Sequence, residues 1–251
     1  SRGLGDVYKR QGIRCLPGDA RFYCRSNYEL KIMADYGILL TNDSGNVWVS
    51  PQSIPLALLS KQSITLRGGT NSDEVRSVTY DTNHPCVPFV VFHGSSPQGA
   101  FTKIKYDGNT CSVVFSFGTQ NTYAEVYFFS VFPQSNPGYG LAIWDENGTL
   151  ILTNETRTLS DVQTYGTGFN LNVTNGGKWA VSPVQLGAIV GVIRDPYPRP
   201  FQGDYGAAAF FNGSSTQLTA YLTQAPGGTA SDLTHVDMKN TCIAIDCARY
   251  D

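Results

Sequence analysis

The stretch DYGILLTNDSGNVWV at 35–49 aligns without gaps on GYGLAIWDENGTLIL at 138–152, and this internal repeat constrains the fold more than any other feature of the chain. Tyr36 matches Tyr139, Gly37 matches Gly140 and Gly45 matches Gly148. Ile38, Leu40, Val47 and Val49 keep the phase of Leu141, Ile143, Leu150 and Leu152. Each copy reads as two short strands around a turn, NDSGN or DENGT, in which glycine reaches positive φ without a steric penalty. Strand side chains alternate between faces, so the four apolar positions of each copy share one face and must bury it. Trp48 and Trp144 then project from the opposite face. The distance between the copies is domain-sized and suits tandem domains rather than a solenoid.

The rest of the chain from Met33 carries the same period. CSVVFSF, AEVYFFSVF and TLILT alternate or run apolar between Gly, Asn, Asp and Pro. β-branched and aromatic residues fill these runs, as a half-buried pleated surface favours. No stretch offers three helical turns with an apolar stripe, and PLALLSKQ (55–62) has room for a short helical turn or a strand. FPQSNPG (132–138) has the composition of a linker. The expected architecture is all-β, two tandem β-sandwich-like domains at 33–133 and 134–251 related by the repeat.

The first 32 residues stand apart. Read back as codons, SRGLGDVYKRQ (1–11) resembles a translated sequencing adapter throughout its length, and such scars are set aside before fold reasoning. Residues 12–32 show no sustained pattern and read as upstream read-through, with Met33 as the candidate initiator. The expectation is that 1–32 adds nothing to the fold and includes no signal peptide, since an apolar core is missing.

Removing this segment changes the charge argument. It holds seven Lys/Arg and three Asp/Glu of the chain's 18 and 20, which leaves 11 and 17, a net of −6. So few cations argue against neutralising a phosphate backbone, hence against nucleic acid as partner. No apolar run approaches the roughly 20 residues of a membrane helix. The remaining cysteines, Cys86, Cys111, Cys242 and Cys247, form no C-x-x-C pair and offer no zinc spacing. Reduced thiols are the default without a secretory signal, with a Cys86–Cys111 disulfide as the alternative.

Residues that carry chemistry are sparse. His84, Cys86 and His93 are close in sequence and admit a Cys–His pair, yet loop and strand-end histidines explain them more simply. HGSSPQG lacks the Gly-x-Ser-x-Gly spacing of a nucleophile elbow. Asp145 and Glu146 adjoin on a turn, where carboxylates serve solubility, and APGGTAS (225–231) lacks the Lys-Ser/Thr of a phosphate loop. The expectation is no enzymatic activity, no cofactor and no metal.

Two features suggest binding. DPYPRPF (195–201) alternates proline with Tyr197, Arg199 and Phe201, a stiff run bearing the side chains enriched at interface hot spots. Its alternative role is a packed connection between sheets. An outward Trp48 or Trp144 suits stacking on a sugar ring or a partner, or lies under a neighbouring loop.

The opening Y-G-hydrophobic hairpin, seen best in YGLAIWDENGTLILTNETRTL, and the closing IAIDCARYD resemble a group of small bacteriophage proteins associated with tails or tail tips. The resemblance covers most of 33–251. It implies a virion structural role without chemistry, assembled in the bacterial host cytoplasm through contacts with other virion proteins as a homo- or hetero-oligomer. The alternative is a carbohydrate- or receptor-binding module engaging a cell-surface glycan through Trp48, Trp144 or Tyr197.

Overall fold

The computed structural model describes residues 29–32, 38–41, 47–49, 54–69, 73–95, 98–145, 147–194, 197–226 and 229–251. Their strands, in chain order, begin with β1 (Glu29–Ile32), β2 (Ile38–Thr41), β3 (Val47–Val49), β4 (Ala57–Thr65), β5 (Glu74–Thr79) and β6 (Val87–His93). There follow β7 (Phe101–Asp107), β8 (Thr110–Ser116), β9 (Tyr123–Ser130), β10 (Ala142–Trp144), β11 (Leu150–Thr153), β12 (Gln163–Thr167) and β13 (Asn172–Gly176). The last are β14 (Trp179–Val181), β15 (Gln185–Arg194), β16 (Pro198–Phe211), β17 (Ser215–Leu222), β18 (Thr229–Asp237) and β19 (Thr241–Asp246), closed by a 3-10 turn at Cys247–Arg249. The protein is all-β and sandwich-like, and the described residues contain no α-helix.

The chain divides into two compact units that interleave in sequence. One comprises Ser1–Ala57 and Val131–Thr158, the other Leu58–Ser130 and Leu159–Asp251. A cut at 133/134 was expected from the repeat, whereas both repeat hairpins fall in the first unit. The hairpins themselves match in detail. In β2–β3, Leu40 pairs with Val49 and Thr41 with Val47, with a register shift between them. In β10–β11, Ile143 pairs with Leu152 and Trp144 with Leu150, with the shift at the corresponding place. Ile143, Leu150 and Leu152 are buried, as their shared phase requires. The turn between them is held by Asp145, whose carboxylate accepts from the backbone N–H groups of Asn147 and Thr149 at 2.9 and 2.7 Å.

β1 corrects one expectation. It pairs antiparallel with β2, Glu29 opposite Thr41 and Ile32 opposite Ile38, so the last four residues of 1–32 do enter a sheet. Residues 1–28 and Met33 lie outside the described residues.

The second unit is a two-layer arrangement. Its large sheet runs β12-β19-β14-β6-β16-β15-β18, extended by β9 and β4 beside β6 and by β17 and β13 beside β16. The small sheet is β5-β8-β7. Pro88, Val90 and Phe92 of β6 lie opposite Phe128, Val126 and Ala124 of β9, and this face is covered by Cys111, Val113 and Phe115 of β8. Phe92 meets Phe115 edge-on at 6.2 Å and stacks on Phe210 of β16 at 5.6 Å. The reverse face, Phe89, Val91, Tyr127 and Phe129, is also buried, which is why VPFVVF and VYFF read as continuous apolar runs. Tyr250, just past the 3-10 turn, packs edge-on against Phe129 at 4.8 Å.

Candidate functional site

One charge interrupts that reverse face. Glu125 lies in the middle of β9, opposite Val91 and only 7% exposed, where an unpaired carboxylate would be strongly disfavoured. Its partners arrive from three separate segments. Lys61 of β4 brings its Nζ to 3.0 Å from Oε1. Lys178, just before β14, donates to Oε2 at 2.7 Å. His93, the last residue of β6, places Nε2 2.8 Å from the same oxygen. An ionised carboxylate only accepts, so that nitrogen carries the proton facing it.

Asp251 closes the cluster. Its Oδ1 accepts from Lys61 at 2.7 Å and from the Tyr127 hydroxyl at 2.8 Å, and its Oδ2 lies 2.7 Å from Lys178 Nζ. The Lys61 ammonium also sits 5.2 Å from the centre of the Tyr127 ring. Two lysines thus face two carboxylates, and both oxygens of each acid are engaged. The segment that delivers Asp251 is fixed by local bonds. Asp246 accepts from the N–H of Ala248 at 3.0 Å, and the N–H of Cys247 donates to the carbonyl of Lys178 at 2.8 Å.

The protonation states follow from this geometry. Burial alone would raise the pKa of Glu125, but hydrogen bonds from Lys178, His93 and Lys61 outweigh it and hold the group down at about 2. Asp251 is also lowered to about 2, burial being overcome by Lys178, Lys61 and Tyr127. Burial by itself would lower Lys61 and Lys178, and their bonds to Asp251 and Glu125 raise both. Burial pushes the Tyr127 phenol up and the Cys247 thiol up to about 12. Glu125 and Asp251 are thus held ionised by Lys61 and Lys178, which they in turn hold charged. The cluster behaves as an ionic clasp on the sheet.

His84, Cys86 and His93 do not converge. Cys86 immediately precedes β6 and His93 ends it, and alternation turns Cys86 to the core face and His93 to the reverse one. His84 lies in the preceding turn, 3.9 Å from Asp81. Besides Glu125, the His93 ring touches Tyr123 and Phe211, edge-on at 4.9 and 5.7 Å. Among the described residues no group of three His, Cys, Asp or Glu is arranged to hold a metal, and no helix is long and apolar enough to cross a membrane.

The binding residues expected from sequence separate into two kinds. Tyr197 stands 79% exposed at the tip of the β15–β16 hairpin, and Arg199 is exposed beside it. Phe201 differs: it is buried against Ile189 and Ile193, so it anchors the hairpin instead of presenting itself. The reason is local: its cross-strand neighbour is Gly191, and alternation puts Ile189 and Ile193, two residues to either side of that glycine, on the same face as the ring. Pro198 and Pro200 pair with β15 alone, since β17 joins β16 only from Tyr205 onward. That fits proline's confinement to sheet edges. Trp144 belongs to the first unit and is 54% exposed on β10. Trp48 lies in β3, and its side chain is outside the described residues.

No protein-family model matches the chain, no curated protein matches its sequence, and no solved structure matches its fold.

Proposed function

We propose that this chain is a non-enzymatic bacteriophage virion protein, a structural or accessory component of a tail or tail tip that works through protein–protein contacts. The observation that carries the reading is the β15–β16 hairpin, rooted by Phe201, Ile189 and Ile193 and tipped by exposed Tyr197 and Arg199. A pre-stiffened aromatic–arginine tip loses little freedom on association and has the composition of an interface hot spot. The flanking edges discourage open-ended strand addition. Pro198 and Pro200 lack donors, and edge strand β18 has Asp232 at φ 54° beside a register shift against β15. Contact through the tip and not through a sheet edge suits a closed assembly.

Particles made by a host carrying the parent genome test this directly. Gold-labelled antibody against the chain should decorate the tail, and unlabelled particles alongside free protein in the lysate would refute the role.

The second reading, a glycan- or receptor-binding module, is supported by the exposed indole of Trp144. A glycan array probed with the protein decides it: specific binding abolished by Trp144→Ala would favour this reading over assembly.

A further inference from the structure

Two buried cysteines have no part in that reading. Cys86 immediately precedes β6 of the large sheet, and Cys111 is the second residue of β8 in the small sheet, 2% and 0% exposed in the core between the layers. Tyr106 of β7 fixes their relation. It pairs directly with Cys111 across the β7–β8 ladder, and its hydroxyl donates to the carbonyl of Cys86 at 2.7 Å. The two thiols stand within hydrogen-bonding reach of each other.

We propose that Cys86 and Cys111 are the sites of a disulfide that staples the small sheet to the large one. The oxidant is a small-molecule disulfide of the glutathione type. The thiolate of either cysteine attacks one of its sulfurs and expels the first glutathione thiolate, leaving a mixed disulfide. The other cysteine, deprotonated, then displaces the second. Two cysteine thiols are oxidised, one disulfide is reduced to two thiols, and the two protons end on the released glutathiones. Burial of both sulfurs confines the exchange to folding or to an opened core. All four cysteines, Cys86, Cys111, Cys242 and Cys247, are free thiols in this structure, and burial raises Cys242 to about 11 and Cys247 to about 12.

The full chain, refolded from denaturant in a reduced/oxidised glutathione buffer, alkylated and digested, gives the test. The expected product is a single linked peptide pair joining Cys86 to Cys111, with Cys242 and Cys247 alkylated. The oxidised protein should melt several degrees above its reduced form, because the cross-link restricts the unfolded chain. Cys86→Ser and Cys111→Ser should each abolish that difference. Recovery of Cys86 and Cys111 both alkylated after oxidative refolding, or linkage of either to another cysteine, overturns the proposal. The peptide map needs only the natural chain, so it decides even if a serine variant folds poorly.

Discussion

Glu125 Oε2 lies 2.7 Å from Lys178 Nζ, and this contact ties the centre of β9 to the loop before β14. Removing one member of such a pair leaves the other charge desolvated, whereas removing both together leaves little penalty. Glu125→Gln should therefore lower stability by about 2 kcal/mol, discounted for the partial exposure of Lys61. Glu125→Leu combined with Lys178→Met keeps the Lys61–Asp251 pair and should recover most of that loss. Urea unfolding of the three proteins checks this, and a double variant worse than Glu125→Gln would contradict it.

The clasp also sets a pH window. Both carboxylates have depressed folded values, about 2 for each, so their stabilisation is complete above the ordinary carboxylate range. It is lost as pH falls through about 2. The two lysines are raised, so their share is complete below their ordinary value and is lost as pH rises through the higher folded one. Melting midpoints should thus form a plateau from about pH 5 to about pH 10, falling on either side. In Glu125→Gln the acid limb should be shallower. An unchanged acid limb would mean that Glu125 is not held down by its neighbours.

The all-β class was legible because period-2 runs and turn residues agree along the chain, and the repeat forecast two hairpins that share even their register shift. The interleaved units were not legible. Which strands pair over long distances depends on partners that local pattern does not name, as with the parallel contact of Phe210 with Phe92. The ionic clasp was missed for the same reason, Lys61 and Asp251 being 190 positions apart. One local signal existed: Glu125 is the single charge inside an otherwise apolar strand, YAEVYFFS, and a buried charge requires partners. In DPYPRPF, Pro198 and Pro200 occupy the part of β16 that pairs with β15 alone. Phe201 could not be separated from Tyr197 without knowing that Ile189 and Ile193 share its face across the hairpin.

Gly206 in β16 makes a sharper packing test. A Cβ placed there would come within 2.7 Å of the buried Phe101 ring. Gly206→Ala should cost about 1–3 kcal/mol through overpacking. Phe101→Leu in the same chain should relieve part of it, read as a smaller loss in the double variant than the two single losses summed.

The hairpin gives a paired prediction. Phe201→Ala should destabilise the chain by about 3 kcal/mol, as large-to-small changes in a packed cluster do. Tyr197→Ala should change stability by no more than about 0.5 kcal/mol, because the ring is open to solvent. Thermal melts of the two variants distinguish anchor from tip, and equal losses would erase the distinction.

The central claim is that the exposed tip is where this protein meets its partners in a particle. The most direct measurement is incorporation of the Tyr197→Ala, Arg199→Ala double variant into purified phage particles, quantified by mass spectrometry beside the unaltered chain expressed at the same level. The account predicts an unchanged melting midpoint with incorporation lost. A variant equally stable and incorporated at the level of the unaltered chain would contradict it.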